Sequence, residues 1–323
     1  MQEKTFTYKT VDGGEAVDLT AWWGTSSPYA SRPVVLLFHG GGFVIGSRFG
    51  VASQPIRDLV DAGFVVVSAD YSLCPQVSLY DGPEKDAKDA YRWCKEKLSG
   101  LLANDGVLVD PTKVMTLGYS AGATLALCLG QEVDPPIAIV DFYGAKLFKD
   151  SFWSAPLPML AQLPAMPGEF LNKIFDEPVQ TNTGSSLESA PKPEKSQERP
   201  KKGLPPPDLT NPRNAWLFSA LKDGSHLAKI VQDGDLDRVD PVHTFSSNFP
   251  PTFFIHGIAD PMIPSRLSEQ ASQKLKDLGV DTGIALVPDA SHGFDLGLEP
   301  EDPQYQYVRQ AIAFLQKHVY LGT

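Results

Sequence analysis

Three stretches decide what this chain can fold into: "PVVLLF" at 33–38, "FVVVSA" at 64–69 and "KVMTLGY" at 113–119. Each is an apolar run, rich in β-branched residues and without polar alternation, as expected of a strand buried on both faces of a parallel sheet. Helical patterns separate them. "SQPIRDLVDAG" offers Ser53 as N-cap, Pro55 in the first turn and Gly63 as C-cap. Residues 83–99 carry Ala87, Ala90, Tyr91, Cys94 and Leu98 at spacings that make one helix face. The alternation continues with a helix at "AGATLALCLG", strands at "PIAIVDFYG" and "PTFFIHG", a helix over 265–278, a strand at "TGIALVP" and a closing helix over 303–320. At the front, "KTFTYKTV" and "EAVDLTAWW" flank Asp12-Gly13-Gly14 and read as an antiparallel hairpin. The expected class is α/β, a mostly parallel, doubly wound sheet.

One region breaks the rhythm. Residues 146–248 interrupt the strand–helix order, and 184–210 are rich in Pro, Lys, Glu and Ser with no aromatic residue. Such a stretch cannot bury enough surface to offset chain entropy, so a mobile loop is expected there. Its flanks carry ordered patterns. "FKDSFW" and "GEFLNKIF" supply aromatics, "NPRNAWLFSALKDG" has Asn211 as N-cap, Pro212 at the first helical position and Gly224 at its end, and "SHLAKIVQD" reads as a short helix. The expected organisation is a core of 1–145 and 249–323 with a cap or lid at 146–248.

The 323 residues are 42% hydrophobic, enough for a large core, and the net charge of −11 argues against a nucleic-acid or anionic-membrane surface. Three cysteines, Cys74, Cys94 and Cys128, are too few and too odd for a disulfide framework. "MQEKTFTYKTVDGG" has no apolar h-region, and no run has membrane-spanning length. A cytoplasmic protein, monomer or homodimer, is expected.

Within "LGYSAGATLAL" a buried strand gives way to a helix, and Ser120 sits between Gly118 and Gly122. This is the setting of a nucleophile elbow, in which small neighbours permit a tight turn that lifts the hydroxyl to the C-terminal edge of the sheet. A serine hydroxyl needs a base and an acid to orient that base. "FFIHGIADPMIP" places Asp260 just after one strand, and "VPDASHGFD" places His292 just after the last. Asp289 and Asp295 also flank His292, but neither follows a strand as Asp260 does. "FHGGGF" brings Gly40, Gly41 and Gly42 to the end of the first buried strand. The amides of Gly41, Gly42 and Ala121 could hold an oxyanion, each such donor contributing about 2.7–4 kcal/mol. Phe43, Tyr119 and Phe294 beside these motifs, with Trp216 of the insertion, are the candidate substrate-binding side chains. The His and Cys positions show no zinc spacing, and no cofactor is expected.

These residues resemble the α/β-hydrolase superfamily, and within it the hormone-sensitive-lipase-like esterases. The resemblance rests on His39-Gly40-Gly41-Gly42, on Gly118-Tyr119-Ser120-Ala121-Gly122, on the HGxxD segment from His256 to Asp260, on His292-Gly293-Phe294, and on "DYSLCPQ" from Asp70, which is similar to that family's DYRLAPE segment. It implies an α/β-hydrolase fold with an eight-stranded sheet and a helical cap over the acyl pocket. It also implies roles: Ser120 as nucleophile, His292 as general base and acid, Asp260 as its orienter, and Gly41, Gly42 and Ala121 as oxyanion donors. The expected substrate is a small ester. The insertion's aromatics, Phe152, Trp153, Phe170, Phe175, Trp216 and Phe218, either favour an apolar or aromatic group or simply pack the cap. Amide, formamide, lactone and thioester cleavage fit the same triad. A non-catalytic receptor or a partner-binding scaffold on this fold are the readings from other classes.

Overall fold

The computed structural model describes residues 1–11, 13–183 and 206–321. Asp12 of the expected hairpin turn and 184–205 of the expected mobile loop lie outside these residues. Eight strands form one sheet: β1 (Gln2–Thr10), β2 (Ala16–Trp23), β3 (Arg32–Phe38), β4 (Val65–Ala69), β5 (Val109–Tyr119), β6 (Ile139–Phe142), β7 (Thr252–Gly257) and β8 (Thr282–Val287). Their order is β1-β2-β4-β3-β5-β6-β7-β8. Strand β2 runs antiparallel to β1 and β4, and the remaining pairs are parallel. The helices are α1 (Ser53–Asp61), α2 (Lys85–Trp93), α3 (Ser99–Ala103), α4 (Ala121–Cys128), α5 (Gly168–Asn172), α6 (Pro212–Lys222), α7 (His226–Ile230), α8 (Leu236–Val239), α9 (Arg266–Asp277) and α10 (Tyr305–Leu321).

The unbroken apolar runs have the expected cause. Strand side chains alternate in direction, so each buried strand feeds two cores. Val34, Leu36 and Phe38 join one core with Leu125 of α4 and Leu267 of α9. Val35 and Leu37 join the other with Leu59 of α1 and Leu315 of α10. The chain passes from β3 outward to β4 and then returns to the other side of β3 as β5. The strand order therefore reverses between β3 and β5, where the C-terminal ends Phe38 and Gly118 lie in register. In open α/β sheets, such a reversal leaves a crevice for ligands.

Two local expectations shift. Helix α1 starts at Ser53 itself, with Ala52 in the N-cap place and no side-chain cap bond. Burial of Pro55, Ile56, Leu59 and Val60 holds this helix instead. The helix expected over 83–99 is one part of a longer helical run, with wider π-type turns at Tyr80–Glu84 and Cys94–Leu98 on either side of α2. Ala87, Ala90, Tyr91, Cys94 and Leu98 are all buried, as their spacing requires.

Helices α5 to α8 lie between β6 and β7. Helix α6 begins as its sequence predicts: the Asn211 side chain accepts from the Arg213 and Asn214 amides at 2.9 and 3.2 Å, with Pro212 in the first turn. The buried Arg213 then ties α6 to the sheet domain. It donates to the carbonyls of Val44 (3.0 Å) and Cys74 (2.8 Å) and to Gln76 (2.9 Å), and pairs with Glu177 (2.8 Å). Among the described residues, no helix is long and apolar enough to cross a membrane.

Candidate active site

The two glycines around Ser120 are dictated by contact. A Cβ on Gly118 would sit 2.1 Å from the Gly122 carbonyl oxygen, and one on Gly122 would sit 2.2 Å from that of Phe38. Helix α4 therefore starts flush against the ends of β5 and β3, and the link between must turn at once. Ser120 makes that turn at φ 52° and ψ −119°, outside the relaxed regions for an L-residue.

The turn directs the hydroxyl at His292. Ser120 Oγ lies 2.9 Å from His292 Nε2, and His292 Nδ1 lies 2.7 Å from Asp260 Oδ2. The carboxylate only accepts, so Nδ1 carries the proton and Nε2 is left to accept from Ser120. Asp260 is pinned in turn, its Oδ1 accepting from the Met262 and Ile263 amides at 2.8 and 2.9 Å. Burial pushes the Asp260 carboxyl up, but the facing His292 and the hydrogen bonds from His256 and His292 outweigh it and hold it well below the usual carboxylate range. Asp289 is exposed, and Asp295 is buried as acceptor of the Tyr143 hydroxyl at 2.5 Å. The Tyr143 ring packs edge-on against the His292 ring, centroids 4.6 Å apart, and helps to fix its plane.

The glycine loop after β3 lies against Ser120. A Cβ on Gly40 would stand 3.3 Å from that of Ser120. His39 holds the loop from behind: its Nδ1 donates to the Gly40 carbonyl (2.7 Å), its ring stacks on Tyr71 at 4.2 Å, and the Tyr71 hydroxyl donates to the His39 carbonyl (2.8 Å). Burial lowers the His39 pKa to about 4, so the ring is neutral at ordinary pH. Asp70, next to Tyr71, accepts the Arg48 amide at 2.6 Å and pairs with its guanidinium. Among the described residues, the amides of Gly41, Gly42 and Ala121 donate to no other group.

A cavity of about 40 Å³ opens on Ser120 and His292, walled by Phe43 and Ala121 below and by Trp153, Leu217, Phe218 and His226 of the insertion above. It has room for a few waters. Phe43 is thus placed where expected, whereas Tyr119, Trp216 and Phe294 lie off the wall. Tyr119 precedes Ser120 on a strand and points to the opposite face, where it packs on Phe142 at 4.9 Å. Trp216 is turned by the helix toward Phe175 and Lys229, leaving the wall to Leu217, Phe218 and Leu221. Phe294 packs on Tyr143 in the second core.

Sequence reading did not find His226. Its Nε2 donates to the Gly42 carbonyl at 2.9 Å, joining α7 to the glycine loop. Arg213 was missed for the same reason, since both partners are remote in the chain. Cys74, Cys94 and Cys128 are free and buried, and burial pushes all three thiols up.

Comparison with known proteins agrees with this architecture. Residues 35–146 match the model of a family described as having the α/β-hydrolase fold. Thermogutta terrifontis esterase 2, in its form phosphoramylated by tabun, superimposes with a TM-score of 0.63 at 19% identity, over 98% of this chain and 94% of that one. The non-reducing polyketide synthase ausA of Emericella nidulans is 31% identical over 99% of this chain. The non-reducing polyketide synthase adrD of Penicillium rubens is 33% identical over 89% of it. This chain spans only 14% and 12% of the length of those two synthases. At 19% identity the likeness to the esterase concerns the fold. The chain has the α/β-hydrolase fold, and its residues 35–146 match a family of that fold.

Proposed function

We propose that the protein cleaves a carboxylic ester through an acyl-enzyme on Ser120. The observation that carries this is the unbroken line Ser120 Oγ, His292 Nε2, His292 Nδ1, Asp260 Oδ2, with links of 2.9 and 2.7 Å. Ser120 attacks the carbonyl carbon while His292 Nε2 takes its proton. Asp260 keeps Nδ1–H in place and stabilises the imidazolium that forms. The tetrahedral oxyanion sits on the Gly41, Gly42 and Ala121 amides. His292 returns the proton to the leaving oxygen, the alcohol departs, and water activated by His292 cleaves the acyl-enzyme.

Residues 146–248 act as the cap over this site, and Phe43 with the cap's apolar side chains receives an apolar or aromatic group. A cytoplasmic setting accords with the three free thiols. The test is intact-protein mass after treatment with a small fluorophosphonate. One adduct is expected on the wild type and none on Ser120→Ala. An unlabelled, folded wild type would remove the reading and leave a ligand-binding receptor on the same fold.

A second reading concerns the acyl donor. Almost the whole chain aligns with one segment of polyketide synthases, which suggests a polyketide-type acyl group delivered as an ester or a thioester. Ser120 would attack either carbonyl, expelling an alkoxide or a thiolate. Comparing kcat/KM for one aromatic acyl group as its ethyl ester and as its N-acetylcysteamine thioester decides it. A preference on the order of ten-fold beyond the ratio of their uncatalysed hydrolysis rates would support thioester delivery.

A further inference from the structure

Behind Asp260 the hydrogen bonds do not stop. His256 Nε2 lies 3.1 Å from Asp260 Oδ2 and 2.9 Å from the Ile263 carbonyl. His256 Nδ1 lies 2.8 Å from Ser268 Oγ, and Ser268 Oγ lies 2.9 Å from Lys146 Nζ. Lys146 Nζ completes its set with the Gly144 carbonyl at 2.6 Å and the Asp141 carboxylate at 2.9 Å. Lys146, Ser268 and His256 are wholly buried. Three elements therefore converge: the exit of β6, the end of β7 and the first turn of α9.

We propose that Lys146, Ser268 and His256 form a positioning relay that holds the Asp260 carboxylate, and through it His292, in catalytic register. This rests on the reading of Ser120, His292 and Asp260 given above. The direction of every link follows from its two ends. An ammonium only donates and a carbonyl only accepts. Ser268 then accepts a hydrogen bond from Lys146 and donates its hydroxyl to His256 Nδ1. In this arrangement His256 carries a proton on Nε2, and that donor is shared between the Asp260 carboxylate and the Ile263 carbonyl. With the Met262 and Ile263 amides on Oδ1 and His292 on Oδ2, Asp260 has four donors and no freedom to rotate. A buried lysine needs a reason, since burial disfavours its charge. Asp141 supplies the countercharge, and the relay supplies the use.

The titratable and charged groups around this line are Asp141, Asp240 and Asp260 facing Lys146, His256 and His292 facing Asp260, and Asp295 facing His292. A donor from His256 makes Asp260 less basic toward the shared proton on His292. Uncoupling the relay therefore leaves Asp260 more basic, and the acid limb of kcat moves to higher pH.

The experiment uses the full chain with Ser268→Ala, which breaks the relay without altering a charge, and Ser268→Thr, which restores the hydroxyl. For a p-nitrophenyl ester, Ser268→Ala should lower kcat roughly ten-fold with KM little changed, the loss of one hydrogen bond to a charged group. Its acid limb, in both kcat and the fluorophosphonate labelling rate, should shift to higher pH, and Ser268→Thr should restore both. A labelled wild type with an acid limb unmoved in Ser268→Ala overturns the relay alone, even if activity falls with Tm. An unlabelled wild type instead overturns the underlying reading. Nitrogen-15 NMR of the histidine rings in the wild type tests the relay independently of activity and of variant folding. His256 should show a protonated Nε2 and a bare Nδ1, and a proton on Nδ1 would overturn the proposal.

Discussion

His226 Nε2 donates to the Gly42 carbonyl at 2.9 Å, a bond that joins the insertion to the loop facing Ser120. The bond crosses from α7 to the end of the sheet, so the orientation of the glycine loop depends on the seating of the insertion. His226→Phe keeps the ring's bulk and removes the donor. The expected result is a fall in kcat of about ten-fold, with KM changed less, because the Gly41 and Gly42 amides, the proposed oxyanion donors, lose alignment more than the substrate loses contact. Steady-state kinetics on one activated ester checks this. A change confined to KM would mean that His226 only walls the cavity.

Gly122 stands against the backbone of β3, and a methyl group there would meet the carbonyl oxygens of Phe38 and His39 at 2.2 and 2.5 Å. Neither neighbour is a flexible side chain, so α4 itself must move. Gly122→Ala should cost about 1–3 kcal/mol of stability. It should also slow fluorophosphonate labelling far more than that loss predicts, since Ser120 is displaced from His292. Urea unfolding and labelling rates on the same sample separate the two effects. Wild-type labelling in a destabilised protein would show that the elbow tolerates the shift.

Four buried groups of opposing sign contribute to the pH dependence of stability. Burial lowers His39 and His226 to about 4, each against the partial help of one backbone hydrogen bond. These histidines stay neutral in the fold, so their contribution is present above the unfolded pKa near 6.5 and is lost as pH falls toward 4. Burial raises Asp70 and Asp295 to about 6, against hydrogen bonds from Arg48 and Tyr143 respectively. Their contribution is present below about pH 4 and is lost as pH rises through about 6. The two pairs therefore act in opposite directions between pH 4 and 6.5. Asp295→Asn keeps an acceptor for Tyr143 and removes one falling contribution, on the order of 2 kcal/mol. The variant should gain stability relative to wild type as pH rises from 4 to 6.5. Chemical denaturation at both ends of that window measures it, and parallel wild-type and variant curves would remove Asp295 as a titrating group.

The sequence made the sheet and the line from Ser120 to Asp260 readable because both are encoded locally. Unbroken apolar runs mark strands buried on two faces, and chemistry placed just beyond their C-terminal ends must share one edge of the sheet. Side chains adjacent to a motif misled for the same geometric reason. Tyr119 is next to Ser120 in the chain and, on a strand, points the opposite way. The helix likewise turns Trp216 away and presents Leu217 and Phe218. What could not be read are contacts between distant residues with no periodic signature. Lys146 meets Ser268 across 122 positions, Arg213 meets Val44 across 169, and His226 meets Gly42 across 184. Each depends on how the insertion and the last helices settle on the sheet, which no short stretch specifies.

Trp153 separates two spaces of very different size. The cavity on Ser120 measures about 40 Å³, while a groove of about 610 Å³ runs past Phe148, Gly224 and Val231. Trp153 and Leu227 wall both. The indole is held by its donation to the Lys146 carbonyl at 2.9 Å and by edge contacts with Phe148 and Phe152 at 5.5 and 4.9 Å. Trp153 narrows the space beside Ser120 to below the roughly 300 Å³ that a drug-sized ligand needs, so bulky groups are disfavoured there. Trp153→Ala should join the two spaces. For acetyl and propionyl esters kcat/KM should stay within about three-fold, whereas for bulky aromatic acyl esters it should rise on the order of ten-fold, as expected when a steric block is removed. A matched series of p-nitrophenyl esters reads this directly. Stability should fall by up to about 3 kcal/mol, less than for a fully buried tryptophan, because the ring is half-buried. An equal fall for short and bulky esters would instead make Trp153 a support for the cap, with acyl size selected elsewhere.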